Sequence, residues 1–209
     1  MAGEHNLAAT TMHKLVGTAF LLTLAACTSA PVRQSAPAES APPAHAKKAI
    51  RTEKLEPYSC GTIERLHTYS GIFLASQPAA QDLHDAKAGG VKTIVNFRLP
   101  DEDVGYDEPA LAKELGFEYV NLGFKTPESL TDDVFDRARA LFRDEAKRPI
   151  LAHCHSGNRV GAIWLAHRVL DGGLGWAAAL DEAKEVGLKA PAFEQRAAEY
   201  VKSHGGRAG

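Results

Sequence analysis

The sequence predicts an α/β fold: a central, largely parallel sheet flanked by helices, with one short loop joining a strand end to a helix N-terminus. Three observations predict it. From about residue 57, short runs rich in β-branched and aromatic residues alternate with helical patterns, as in strand–helix–strand units. Right-handed crossovers then put helices on both faces of the sheet. Finally, "HCHSGNRVGA", residues 153–162, follows the most apolar late strand. It therefore occupies the carboxyl edge where such sheets bind ligands.

The elements follow in order. "GIFLASQP" holds an apolar strand, Ile72 to Ala75, ended by Gln77-Pro78. In "AAQDLHDAKAGG", Ala80, Leu83, Ala86 and Lys87 share a helical face, and Gly89-Gly90 stops it. "VKTIVNF" is a buried strand, followed by the polar loop "RLPDEDVGYDEP". "ALAKELG" is a short helix with Gly116 as its C-terminal cap, and "FEYVNLGF" is the next strand. Thr131 is placed to cap a helix from Asp132 to about Glu145, whose first acids favour the positive helix end. "RPILAHC" is a strand. Arg159 or Val160 opens a helix that runs to about Asp171, and "WAAALDEAKEVG" and "PAFEQRAAEYVKS" supply two more.

The chain has 209 residues and a formal net charge of -2, which gives no general attraction to nucleic acid. Its three cysteines, Cys27, Cys60 and Cys154, make no disulfide framework. Before Cys27, His13-Lys14 precede an uncharged apolar run from Leu15 to Ala26. That run is too short for a membrane span, which needs about 20 residues, and has the length of a signal-peptide core. Leu24-Ala25-Ala26-Cys27 resembles the lipobox of bacterial lipoproteins, which implies lipidation at Cys27 and makes Met12 a candidate start. Residues 1–27 thus read as a lipoprotein signal peptide, 28–56 as an Ala/Pro/Ser-rich disordered tether and 57–209 as the folded domain. The expected location is the cell envelope. Thr28 after the cysteine resembles sorting to the outer membrane, with the domain facing the periplasm.

The loop from Cys154 to Arg159 is the candidate site. Unsatisfied N–H groups at a helix N-terminus converge on an anion. Ser156 and Gly157 let the backbone curl, and His155, Ser156, Gly157, Asn158 and Arg159 line the cradle. Arg159 adds a planar fork that matches a tetrahedral oxyanion. Thiols near such positive groups fall from a pKa of about 8.5 to about 3.5–7.5, and a thiolate beneath a bound oxyanion is a nucleophile aimed at its central atom.

"PILAHCHSGNRVGAIWLAHRV" resembles the phosphate-binding loop of the protein tyrosine phosphatase superfamily. The nearest pattern is the bacterial dual-specificity-like branch, as in phosphatase-like domains fused to β-lactamase-like hydrolases. The resemblance extends through "GIFLASQPAAQDLHDAKAGGVKTIVNFRLPDED" and "LGFEYVNLGF", roughly residues 62–190. It implies a nucleophilic Cys154, a phosphate-binding Arg159, a loop-ordering His153 and a cysteinyl-phosphate intermediate. It implies a phosphorylated protein or small phosphomonoester as substrate, and neither metal nor organic cofactor. Four residues separate Cys154 from Arg159, where the common loop has five. Val160 replaces the Ser or Thr that bonds the thiolate in many members, leaving Ser156 as a substitute donor.

A general acid is less evident. The segment that carries the superfamily's acidic Asp, "NLGFKTPESL", offers only Glu128, while Glu102 in "PDED" can reach the same sheet edge. A four-residue spacing is also found in rhodaneses, so sulfur transfer by the same cysteine is the first alternative. A non-catalytic anion-binding lipoprotein module is the second. His67, His84 and His167 are isolated and read as structural or solvent-facing. Cys60 is either an inert buried thiol or a reversible partner of Cys154.

Overall fold

The computed structural model describes residues 52–209. The signal segment, Met12, Cys27 and the tether up to residue 51 lie outside it. Among the described residues no helix is long and apolar enough to cross a membrane.

Six strands form one sheet in the order β1-β2-β3-β6-β4-β5. They are β1 (Glu56–Pro57), β2 (Leu66–Tyr69), β3 (Ile72–Ala75), β4 (Thr93–Asn96), β5 (Glu118–Asn121) and β6 (Ile150–His153). The last four run parallel, as expected. The antiparallel β1 and β2 on the outer edge were not anticipated. β2 is half polar, and Pro57 is tolerated in β1 because an edge strand needs fewer N–H donors. Ser70 and Gly71 both take positive φ (45° and 81°), the mirror-image turn that suits a two-residue hairpin. The Ser70 amide donates to both the hydroxyl and the carbonyl of Thr52 (2.8 and 3.1 Å). Residues 52–56, expected to belong to the tether, therefore dock on the sheet edge.

Helices α1 (Ala80–Ala88) and α2 (Glu108–Glu114) cover one face. The other face carries α3 (Asp132–Arg143), α4 (Asn158–Leu170), α5 (Trp176–Val186) and α6 (Pro191–Ser203). Strand alternation divides the core accordingly. Phe73, Ile94 and Leu151 pack with Leu83 and Ala112, while Ile72, Leu74, Val95 and Ala152 pack with Phe135, Trp164 and Tyr200. Several boundaries differ from expectation for local reasons. α2 begins early because the Asp107 carboxylate caps the Ala110 amide (3.0 Å). Thr131 sits at the N-cap of α3, but its hydroxyl makes no capping bond. α3 ends at Arg143, where the Asp144 side chain turns back to the Ala146 amide and starts a short 3₁₀ turn, Glu145–Lys147. α4 begins at Asn158, so Arg159 lies inside its first turn.

Candidate active site

β6 lies at the centre of the parallel strands, between β3 and β4. Cys154 is the first residue beyond its carboxyl end and is 1% exposed. The Gly157 amide donates to Sγ at 3.2 Å. Ser156, the substitute donor proposed from the sequence, is exposed, so a backbone amide fills that role. Gly157 has φ 87°, and a Cβ there would lie 2.2 Å from the Val186 carbonyl oxygen, so only glycine lets this amide reach the sulfur. The amides of Asn158, Arg159 and Val160 begin α4 and have no partner within the helix.

Arg159 is held from three sides. Nη1 donates to the carbonyls of Phe97 (3.1 Å) and Phe124 (2.8 Å) and to Glu102 Oε1 (2.6 Å); Nη2 donates to Glu102 Oε2 (2.8 Å). The two carbonyls meet because the residues after β4 and β5 stay paired: the Phe124 amide donates to Phe97 O, and Gly123 passes too close to Arg98 O to bear a side chain. The bidentate Glu102 contact uses the Nη1–Nη2 end of the fork. Nε–H and the second Nη2–H are left on the other edge, a pair suited to two oxygens of one oxyanion. Burial opposes the charge on Arg159, yet Glu102 and the Cys154 sulfur outweigh it and raise the guanidinium pKa.

Glu102 does reach the site, but in a different state from the proton donor expected. The Arg159 hydrogen bonds pull its carboxyl down to about 2; partial burial opposes this, and the Leu99 amide and the Arg98 charge assist. An ionised carboxylate has no proton to give, so this environment suits Glu102 to orienting Arg159. A depressed carboxyl pKa adds stability above the unfolded value of about 4.3, and that stability is lost as pH falls towards the folded value. The melting-temperature advantage of wild type over Glu102→Gln is therefore expected to be full near neutrality and to shrink across the acid range. A difference that stays constant on acidification would refute this coupling.

His153 leaves β6 on the face opposite Cys154 and is fully buried. Its Nε2 pairs with Glu108 Oε1 at 2.8 Å. Glu108, 2% exposed at the start of α2, also accepts from Asn96 Nδ2 (3.2 Å) and Gln77 Nε2 (3.0 Å). Gln77 in turn accepts from Arg98 Nη1 (2.8 Å), and its backbone amide donates to the His155 carbonyl (3.2 Å). Sequence reasoning missed Glu108, Gln77 and Asn96. Asp107-Glu108-Pro109 reads as a solvated helix start, and nothing local marks one of its acids as buried.

Residues 66–170 match the family described as Beta-lactamase hydrolase-like protein, phosphatase-like domain. The chain belongs to this phosphatase-like family. A curated relative, the Beta-lactamase hydrolase-like protein of Agrobacterium fabrum (strain C58), is 30% identical over 105 residues, which cover 48% of this chain and 24% of that protein. The chain thus spans about a quarter of the relative it matches. P. aeruginosa TpbA is 25% identical, with a TM-score of 0.55 over 70% of this chain and 89% of that one. The core catalytic domain of the PP-IP phosphatase SIW14 from S. cerevisiae is 20% identical, with a TM-score of 0.57 over 68% and 88%, and shows the shared fold.

Other sequence candidates in this phosphatase-like domain are placed differently. Glu128 is fully exposed, and the Thr126 hydroxyl lowers its pKa. Asn158 turns its Oδ1 to the amides of Lys189 and Ala190 (2.7 and 3.1 Å), bracing the loop from outside rather than lining the cradle with its side chain. His155 is exposed at the rim. His84 is exposed, whereas His167 is buried against Asp171 (2.9 Å). Cys60 packs with the α1–α2 core and Cys154 with the opposite one, so the fold separates the two thiols. Burial, with Asp85 and Asp82, pushes the Cys60 thiol pKa up and keeps it protonated.

Proposed function

We propose that the domain hydrolyses phosphomonoesters through Cys154. The observation that carries this reading is the loop's division of labour: the Gly157 amide engages the sulfur, while Arg159, anchored at its Nη1–Nη2 end by Glu102 and two carbonyls, turns its Nε/Nη2 edge away from those anchors. In the first step the Cys154 thiolate attacks phosphorus, an S–P bond forms and the P–O ester bond breaks. The electron pair leaves on the ester oxygen. In the second step water attacks phosphorus, the S–P bond breaks and inorganic phosphate departs, regenerating the thiolate. The loop amides and Arg159 hold the three non-bridging oxygens through both.

Because Glu102 is held ionised and Glu128 stands in solvent, the arrangement favours esters whose leaving group departs without protonation, and aryl phosphates fit that demand. TpbA was solved in complex with pTyr, and SIW14 is described as acting on PP-IP. Both compounds bear phosphate, which supports a phosphorylated protein or small phosphomonoester as the substrate here. The test is phosphate release from an aryl phosphate, run beside cyanide-dependent thiocyanate formation from thiosulfate. Thiocyanate without phosphate would replace this reading by sulfur transfer. Phosphate-induced thermal protection without turnover would replace it by a binding module.

We further propose that the domain works in the cell envelope on a lipid anchor at Cys27, supported by the run Leu15–Ala26 ahead of it. Cys27→Ala is expected to move the protein from the membrane to the soluble fraction; unchanged membrane recovery would overturn the anchor.

A further inference from the structure

We propose that Glu108 is a positioning residue that acts through His153 to hold the Cys154 loop in its thiolate-stabilising shape. This deepens the phosphatase reading and rests on it for its catalytic meaning, but not for its geometry. A buried carboxylate is costly unless it is fully hydrogen-bonded, and Glu108 collects donors from β6, β4 and the segment after β3. Burial pushes its pKa up, but His153 and the amide donors outweigh that and keep it ionised. An ionised carboxylate only accepts, so His153 Nε2 carries the proton and the tautomer is set. His153 Nδ1 has no hydrogen-bond partner among the described residues, so Glu108 is what orients this ring.

The carboxylate reaches the loop at two points that bracket the nucleophile. One is His153 itself, the residue before Cys154. The other runs through Gln77, whose side chain bonds Glu108 and whose backbone amide bonds the carbonyl of His155, the residue after it. His153 and Cys154 face opposite sides of the sheet, so the coupling passes through the backbone of the loop and not by side-chain contact. The shape being held is the one that delivers the Gly157 amide to Sγ. The charged and titratable groups around this couple are Tyr106, Tyr119 and Asp107 on the α2 side, with Arg98 beyond Gln77. Around the sulfur they are Arg159 and its partner Glu102.

The sign of one measurement separates positioning from plain electrostatics. Glu108→Gln keeps the shape of the side chain, removes a negative charge and lets the amide donate to His153, freeing the tautomer. Charge removal alone favours the thiolate and would lower the pH midpoint of Cys154 alkylation by iodoacetamide. Loss of positioning weakens the loop donors and raises it. We expect the midpoint to rise by about half a unit or more, a roughly threefold change in thiolate fraction on its acid limb. His153→Gln, which keeps a donor facing Glu108, is expected to raise it similarly, and the double variant to add no further rise. A fall or no change in a folded Glu108→Gln overturns the inference. If that variant does not fold, no rise in His153→Gln does so instead. Alkylation needs no turnover. A wild-type domain that hydrolyses nothing yet shows these shifts would sink the phosphatase reading and leave this one standing.

Discussion

Cys154→Ser is expected to abolish aryl phosphate hydrolysis while leaving the fold intact. Cys154 is 1% exposed and its sulfur accepts from the Gly157 amide. A serine oxygen fits the same space and accepts the same hydrogen bond, so the substitution should leave the thermal transition within a few degrees of wild type. The chemistry does not survive. A hydroxyl beside these donors stays protonated at neutral pH, and His153, which pairs with Glu108 on the other side of the sheet, is not placed to remove its proton. Removal of a nucleophile that works as part of a unit costs about ten-thousand-fold or more in turnover. Phosphate release by the purified variant, checked beside a melting curve, measures this directly. Turnover close to wild type would sink the covalent mechanism. The same variant should also lose thiocyanate formation if the domain transfers sulfur, so the paired assay identifies the reaction as well as the nucleophile.

Arg159→Lys is the second large effect. Lysine keeps the positive charge, so any loss measures geometry. One guanidinium here serves two carbonyls and both Glu102 oxygens, and still offers an Nε/Nη2 edge to the ligand. An ammonium group has three donors on one atom and cannot face Glu102 and an oxyanion bidentately at once. Loss of oxyanion stabilisation of this kind is worth about a hundred- to thousand-fold in kcat/KM. The variant should also lose most of the thermal protection that inorganic phosphate gives the wild type. A lysine variant with wild-type kcat/KM would show that the fork does not grip the transferred group.

The candidate loop from Cys154 to Arg159 was legible because its signal is local. A thiol, two small residues and an arginine at fixed spacing between a strand and a helix describe most of an oxyanion cradle without any long-range information. The parallel strands were legible for the same reason: Ile72–Ala75, Thr93–Asn96 and Ile150–His153 are short apolar runs bounded by polar or turn-forming residues. The edge hairpin was not, since β2 alternates weakly and β1 has two residues. Ser70-Gly71 was the available clue. Glu102 was legible as a residue near the site, but its state was not, because the Arg159 hydrogen bonds that ionise it come from 57 positions away.

The sequence by itself determined the order of the parallel strands and of the helices, the nucleophile candidate and the arginine that accompanies it, since each depends on neighbours within one turn or one strand. The tertiary structure decided how those residues are held. Glu108, Gln77 and Asn96 come from separate segments and look like ordinary loop or strand-end polar residues in the chain. They become a buried network only when β4, β6 and α2 meet, because the cost of burying a carboxylate is met by donors that folding alone brings within 3 Å or so of it.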